Sequence, residues 1–246
     1  MIGSLLSMAP LSSAGESPRV FSSGPQRVSL VELYSSEGCS STPPADQYFS
    51  KLKSHPDLWK KFVPVKLQVD YWNYLGWADS LSSSDYSHRQ RELARSSGAS
   101  GVYTPEFFVN GREWRTSRLG SSLETQLADH SNPGILQATL ELKNNVTLQF
   151  TPNQSTRGNS YVFFLALLEN RLSRKIGAGE NNGRTLTHDF ILIKLVKISG
   201  VKQGNAFVAT LPFSVPQKGK TRQYSFAAWV QETKTPQPIQ AVGGDF

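Results

Sequence analysis

The stretch that decides the fold reads VELYSSEGCSSTPPAD and spans residues 31–46. It continues an apolar, β-branched run, residues 28–34, which predicts a buried strand. A Ser/Gly turn follows, and then Pro43 and Pro44 begin an apolar-periodic stretch that predicts a helix. Cys39, the single cysteine among 246 residues, is therefore expected where a strand passes into a helix.

Cys39 is the first candidate for chemistry. Main-chain N–H groups are free at the start of a helix and the helix dipole favours an anion, so this position would stabilise a thiolate. The alternative is a small buried residue without chemistry. The Ser, Gly and Pro neighbours favour a surface turn. The residue three positions on is Thr42, so the chain carries one half of a dithiol pair.

Two further residues would act on this thiol. Thr42 stands one helical turn on, where its hydroxyl group would lie on the same side as the sulfur. Glu32 lies in the strand that leads to the turn. If Glu32 is buried beneath the thiol, it would exchange a proton with Cys39. If the strand faces the other way, it is an outward-pointing strand residue.

An aromatic loop, residues 70–77, contains Tyr71, Trp72 and Trp77. These side chains would either cover the core or form a wall that contacts a substrate. His188 follows a long Gly-rich loop. It would either reach the thiol site or belong to a structural loop.

The chain divides into parts of different pattern. Residues 26–131 alternate strand and helix, which predicts an α/β domain with a mixed sheet flanked by helices. Residues 132–246 show short alternating strands, which predict an all-β sandwich domain. Residues 1–25 are rich in Ser, Gly and Pro and predict a disordered tail or the remnant of a signal peptide.

Composition excludes several classes of function. The net charge is +7, but Lys and Arg are scattered, so no nucleic-acid partner is expected. A single cysteine excludes an intramolecular disulfide and a Cys-rich zinc site. No residues stand at metal-ligand spacing and no cofactor motif is found, so neither a metal nor a cofactor is expected. No run of about 18 apolar residues predicts a membrane span.

Several motifs taken together resemble the DUF1223 family, a family of bacterial exported proteins. The resemblance runs over about residues 27–245 and is specific because the motifs occur in combination. They are found at residues 31–46, 69–77, 87–91, 102–105, 109–111 and 179–188.

The resemblance implies a thioredoxin-like fold for the first half of the chain. Thr104 and Pro105 match the place where such folds carry a cis-proline that faces the thiol. In the family the first motif normally reads GCSSCPPAD. Cys39 matches its first cysteine, whereas Thr42 departs from the second. Without that second thiol, a mixed disulfide at Cys39 has no internal route of release.

The function predicted is that of a monothiol thiol–disulfide oxidoreductase with Cys39 as its nucleophile. Thr104 and Pro105 would hold the partner chain, which is a protein or peptide thiol or disulfide, with glutathione as a further partner. The alternative is a redox-inactive binding module that recognises a peptide or an envelope protein. The resemblance implies a periplasmic or otherwise exported location.

Overall fold

The computed structural model describes residues 17–115, 122–141, 145–156, 158–214, 216 and 223–246. Most of the regular structure in these ranges is β-strand. The strands are β1 (Arg19–Ser22), β2 (Ser29–Ser35), β3 (Phe62–Gln68), β4 (Glu106–Val109), β5 (Arg112–Glu113), β6 (Gly134–Glu141), β7 (Asn145–Pro152), β8 (Tyr161–Asn170), β9 (Leu172–Lys175), β10 (Thr185–His188), β11 (Ile191–Ser199), β12 (Val201–Gln203), β13 (Ala206–Pro212), β14 (Gln223–Glu232) and β15 (Pro238–Asp245). The helices in these ranges are α1 (Pro43–Lys51), α2 (Ser84–Ser96) and α3 (Leu123–Gln126).

The largest sheet joins strands from the beginning and the end of the chain. Its order is β15-β14-β8-β11-β3-β2-β4-β5. β2 and β3 run parallel, and β11 joins the free edge of β3 in the parallel sense. A five-stranded sheet has the order β1-β6-β7-β13-β12, and β9 and β10 form a separate pair.

Strand β8 separates two hydrophobic cores. All ten of its residues are buried. Because successive side chains of a strand point to opposite faces, alternate residues enter different cores. Phe164 and Trp229 belong to the core that contains β2, β3 and both longer helices, and their rings stack with centroids 4.9 Å apart. Phe163 and Leu165 face the five-stranded sheet instead.

The predicted fold class is wrong. We expected a thioredoxin-like α/β domain, a mixed sheet flanked by helices, followed by an all-β sandwich. The described part of the chain is instead mostly β-strand with three short helices, and its eight-stranded sheet runs through both predicted parts. The physical reason is the contact of β11 with β3. A strand's own pattern shows how it is buried, but it does not show which strand will pair with it.

Two of the predicted boundaries, at the end of the tail and at residues 131 and 132, can be compared with the structure. Residues 1–16 of the predicted tail lie outside the described residues, whereas β1, within residues 17–25, is the edge strand that pairs with β6. The division at residues 131 and 132 stays a prediction. Strands from both sides of it share one sheet and one core.

Local sequence explains where the elements near Cys39 begin. Pro43 and Pro44 occupy the first helical positions of α1, where a missing N–H group costs nothing. Ser83 caps α2 by accepting a hydrogen bond from the Asp85 N–H group at 3.2 Å. Asn110 and its neighbouring glycine take positive φ angles, 51° and 76°, in the hairpin between β4 and β5.

The shared core predicts that the chain unfolds in one transition. In a Trp229→Phe variant, tryptophan fluorescence reports on the first part of the chain, which holds the other four tryptophans, while far-ultraviolet circular dichroism reports mainly on strands of both parts. The two signals should follow one urea curve. Two separated transitions would show that the parts are independent domains.

Candidate functional site

Cys39 lies in the turn between β2 and α1, with 8% of its surface exposed. Its Sγ lies 3.1 Å from Ser41 Oγ, and the Ser41 hydroxyl group donates to the main-chain oxygen of Thr104 at 3.0 Å. A hydroxyl group has one hydrogen, so the thiol is the donor to Ser41 in this arrangement. The Thr104–Pro105 peptide bond is cis, which confirms that prediction.

The Thr42 hydroxyl group stabilises the turn and makes no described hydrogen bond to the sulfur. Its buried hydroxyl group lies 2.8 Å from the main-chain oxygen of Ser36 and 2.9 Å from that of Cys39. The hydroxyl group beside the sulfur belongs to Ser41. The helix α1 begins only at Pro43, and the residues before it form a turn. The helical spacing assumed for Cys39 and Thr42 therefore does not apply.

Main-chain N–H groups around the sulfur are largely occupied. The Cys39 N–H group donates to the Ser36 oxygen at 3.2 Å, and the Thr42 N–H group donates to the Cys39 oxygen at 3.3 Å. The Ser40 N–H group donates to the carboxylate of Glu180 at 2.7 Å. The two prolines that open α1 have no N–H group. The start of this helix therefore offers a thiolate less support than the sequence suggested.

Glu32 is engaged away from the thiol. Its carboxylate accepts two hydrogen bonds from Arg89 on α2, at 2.7 and 3.1 Å, and one from the Tyr34 hydroxyl group. The Arg89 guanidinium also lies 5.3 Å from the ring centroids of both Phe164 and Trp229. Glu32 thus compensates a buried arginine, and no described hydrogen bond joins it to Cys39.

A second buried carboxyl group, that of Glu106, stands closer to the turn. Glu106 pairs with Tyr34 across the sheet, whereas Glu32 pairs with Phe108, so Glu106 lies two residues nearer the end of β2. Its Oε2 accepts from the Gln90 amide at 2.6 Å. Burial, together with the charge of a neighbouring carboxylate, raises the pKa of Glu106 to about 7.

Tyr71 belongs to the same hydrogen-bond network as this carboxyl group. Its hydroxyl group donates to Gln90 Oε1 at 3.1 Å, while the same amide group donates to Glu106. Burial raises the pKa of Tyr71 well above its usual range, and charge on Glu106 and on Cys39 raises it further. The Tyr71 hydroxyl group is therefore within electrostatic reach of both groups.

Beneath the turn lies a buried charge cluster of Glu37, Asp46, Lys66, Arg174 and His188. The Lys66 ammonium group contacts Asp46 Oδ1 at 2.8 Å and His188 Nδ1. His188 Nε2 lies 3.0 Å from Glu37 Oε1, and the Arg174 guanidinium lies 3.0 Å from the same oxygen. Lys66 and His188 are 1% and 0% exposed, so water does not screen the contact between these two side chains.

The His188 ring joins the charged groups of the cluster. Its Nδ1 contacts the Lys66 ammonium group and lies 3.5 Å from Asp46 Oδ2, and its Nε2 contacts Glu37 Oε1. Burial alone would raise the pKa of Glu37, but hydrogen bonds from His188 and Trp77 outweigh it and lower that pKa. Burial is likewise outweighed at Asp46, where the charge of Lys66 lowers the pKa. The carboxylates of the cluster, Glu37 and Asp46, are thus paired with two cations. These are Arg174 at Glu37 and Lys66 at Asp46.

The aromatic loop covers the turn. Trp77 Nε1 donates to Glu37 Oε2 at 2.8 Å. A Cβ atom placed on Gly38 would lie 3.4 Å from the main-chain oxygen of Trp72, so this loop packs directly on the residue before Cys39. Tyr74 projects outward with 75% of its surface exposed. The loop therefore contributes both a cover and an exposed aromatic side chain.

The structure brings some sequence candidates together and separates others. Cys39 and Thr42 share one turn with Ser41, which bonds the carbonyl group before Pro105. Glu32 pairs with α2, and His188 lies inside the buried charge cluster. Sequence reasoning missed Ser41, Glu37, Lys66 and Glu106. Lys66 and Glu106 were visible in the sequence as charged residues within apolar strand patterns, which indicates a buried ionisable group.

Two classes of site find no support in the described residues. Within those ranges, no three His, Cys, Asp or Glu side chains are grouped as a metal site. None of the helices there has the length and apolar character needed to cross a membrane.

Comparison with known proteins places the chain in a family. The sequence profile of DUF1223, described as a protein of unknown function, matches residues 30–231. The chain belongs to the DUF1223 family. No curated protein matches it. The DUF1223 membership confirms the resemblance seen in the sequence, and it assigns no activity.

Two solved structures share the fold of this DUF1223 protein. A crystal structure of an Agrobacterium tumefaciens protein from structural genomics is 23% identical and superposes with a TM-score of 0.61, covering 89% of this chain and 94% of its own. HBP35 of Porphyromonas gingivalis is 12% identical with a TM-score of 0.60, covering 90% of this chain and 76% of its own. Identities this low establish the fold alone.

The buried charge cluster predicts a large effect of Lys66→Met. Removal of this ammonium group leaves the Asp46 carboxylate buried without its cation, and breaking such a pair costs about 3–5 kcal/mol. The matched control is Lys61→Met, which breaks an exposed pair with Asp57 and should cost about 0–1 kcal/mol. Urea unfolding measures both. Equal effects would show that the cluster does not hold the fold.

The pKa of Glu106 predicts how stability changes with pH. The folded chain keeps a proton on Glu106 up to about pH 7, whereas the unfolded chain loses it near its ordinary value of 4.5. The folded state then binds more protons between these values, so stability falls as pH rises through this window, by at most about 3 kcal/mol. The difference in unfolding free energy between wild type and Glu106→Gln, measured at several pH values, should show this trend. A constant difference would contradict it.

Proposed function

We propose that this protein carries out monothiol thiol–disulfide exchange at Cys39. The observation that carries the proposal is the contact of the Cys39 sulfur with Ser41, whose hydroxyl group bonds the carbonyl group of Thr104. When the thiol loses its proton, the Ser41 hydroxyl group can turn and donate to the sulfur, which stabilises the thiolate that attacks a disulfide.

The exchange proceeds in two balanced steps. The Cys39 thiolate attacks one sulfur of an external disulfide, an S–S bond forms to Cys39, and the old S–S bond breaks to release a thiolate. That thiolate takes the proton that Cys39 gave up. Because the chain has a single cysteine, an outside thiol must attack the mixed disulfide and regenerate Cys39.

The occupied N–H groups of the turn lead us to expect slow thiol–disulfide exchange. Ser40 donates to Glu180 and cannot donate to the sulfur without breaking that bond. The negative charge of Glu180 also stands beside the turn. Both features oppose a thiolate, so the exchange should be slow at neutral pH and faster at higher pH.

The partners proposed are protein or peptide thiols and disulfides, with glutathione as the small-molecule thiol. A partner would approach near the aromatic loop, where Tyr74 offers an exposed ring. The exported location implied by the sequence resemblance is part of this proposal, because disulfide partners persist in oxidising compartments.

A second candidate function is a redox-inactive binding module. Its specific support is the same set of occupied N–H groups, since a thiol that never ionises is inert. In this reading the exposed aromatic surface at Tyr74 would recognise a peptide, and Cys39 would serve packing.

The first prediction for exchange is a stable adduct. The wild-type chain incubated with glutathione disulfide should gain the mass of one glutathionyl group, and an added thiol should remove it. Cys39→Ser is the matched control and should gain nothing. If the wild type stays unmodified while its unfolded form reacts, the binding-module reading replaces the exchange reading.

The second prediction uses Thr42→Cys. The Thr42 N–H group bonds the Cys39 oxygen, so the two positions are the ends of one hydrogen-bonded turn, a spacing that a disulfide can bridge. The new thiol should resolve the adduct internally, so the glutathionyl form should not accumulate and the chain should end as an intramolecular disulfide. Thr42→Ser should behave like the wild type. Accumulation of a stable adduct in Thr42→Cys would contradict the turn geometry.

A further inference from the structure

A cleft of about 350 Å³ opens between helix α2 and the strands β8, β11 and β14. It is separate from the thiol site, because none of the described residues of the turn around Cys39 lines it. Sites for small molecules are concave and enclose about 300–1,000 Å³. The cleft therefore has the size of a site for a small ligand.

Part of the lining is apolar and carries a cation that is already compensated. Phe164 and Leu195 contribute apolar surface. The Arg89 guanidinium lies 5.3 Å from the centroid of the Phe164 ring, and its Nε and Nη2 atoms both donate to the Glu32 carboxylate. Because Glu32 balances its charge, Arg89 does not by itself call for an anion in the cleft.

Gln231 supplies the cleft with a hydrogen-bond donor. Its Oε1 accepts from Arg89 Nη1 at 3.2 Å. A guanidinium group can only donate, so this contact identifies the amide oxygen and leaves the amide nitrogen for another partner. That nitrogen makes no hydrogen bond among the described residues, although Gln231 is only 7% exposed. A donor left open on a buried side chain beside a cavity indicates a missing acceptor.

Charged side chains of opposite sign line the cleft without meeting each other. Lys197 on β11 has its ammonium group 5.6 Å from the centroid of the Phe164 ring and forms no ion pair in the described part of the chain. Asp85, in the first turn of α2, forms none there either. His88 and Glu92, the other two charged or titratable groups on the helix wall, contact each other at 3.4 Å. The helix wall thus offers a carboxylate, and the sheet wall offers an ammonium group.

We propose that this cleft binds a small zwitterion, an α-amino acid with an apolar side chain. The ligand carboxylate accepts hydrogen bonds from the Lys197 ammonium group and from the Gln231 amide nitrogen. The ligand ammonium group donates to the Asp85 carboxylate. The apolar side chain of the ligand packs against Leu195, so that each open group of the lining receives a partner.

The dimensions of the cleft agree with such a ligand. A round cavity of this volume is about 9 Å across. The charged groups of an α-amino acid are about 3 Å apart, and a hydrogen bond of about 3 Å on either side lets them bridge walls about 9 Å apart. A simple anion would meet Lys197 but be repelled by Asp85, and a simple cation would be repelled by Lys197.

Isothermal titration calorimetry of the full chain with L-phenylalanine tests the proposal. The wild type should bind this amino acid saturably. N-acetyl-L-phenylalanine lacks the ammonium charge, and L-phenylalaninamide lacks the carboxylate. Each should bind about tenfold or more weakly, which is the usual effect of losing a hydrogen bond to a charged group.

Variants assign each ligand charge to its partner. Lys197→Met should remove the preference for the amino acid over its amide, and Asp85→Asn should remove the preference over the N-acetyl derivative. The matched control is Lys194→Met. Lys194 lies on the same strand but pairs with Leu167, which belongs to the core on the other face of the sheet. This variant should bind L-phenylalanine like the wild type.

Three results would overturn the proposal. They are the absence of saturable binding of both L-phenylalanine and L-leucine at millimolar concentrations, equal affinities for the amino acid and its two derivatives, and equal losses in Lys197→Met and Lys194→Met. Circular dichroism confirms that each variant is folded. Cys39→Ser should bind the amino acid like the wild type, so this test is independent of thiol–disulfide exchange.

Discussion

The rest of the site depends on the ammonium group of Lys66. It lies in β3 at the centre of the eight-stranded sheet, 1% exposed, and bonds Asp46 on α1 and His188 on β10. His188 in turn bonds Glu37, two residues before Cys39. A charge buried this deeply is tolerated when it is paired and its hydrogen bonds are satisfied, which confines all its partners to one arrangement.

The consequence for Cys39 is a turn held at both ends. Glu37 anchors the chain before the sulfur, and Asp46 anchors the helix after it. The amide group of Asn181 reaches the main-chain oxygens of Glu37 and Cys39, both at 2.9 Å. The position of the thiol therefore depends on residues from the last third of the chain as well as on its own neighbours. Its chemistry is left to Ser41, whose hydroxyl group can change its hydrogen-bond partner.

Local features of the sequence predicted local structure. The strand before Cys39, the prolines that open α1 and the hairpin at Asn110 follow from backbone preferences that act over a few residues. Family resemblance predicted the cis bond before Pro105, which the sequence alone does not distinguish from a trans bond.

Contacts between distant parts of the chain could not be predicted from the sequence. The pairing of β11 with β3 joins residues more than a hundred positions apart, and no local pattern specifies it. The uninterrupted apolar run of β8 was compatible with a sandwich strand, but the structure buries it between two cores. The roles of Ser41 and Thr42 were exchanged because helical spacing was applied to a turn.

The protonation state of His188 tests this account most directly. An ammonium group can only donate a hydrogen bond, so a charged Lys66 beside Nδ1 predicts a ring that carries its proton on Nε2. Nitrogen-15 magnetic resonance of the chain labelled in histidine distinguishes the forms, with His188→Gln used to assign the signals. The account predicts one protonated and one unprotonated ring nitrogen at neutral pH. Two protonated nitrogens would contradict it, because an imidazolium ring cannot accept a hydrogen bond from the Lys66 ammonium group.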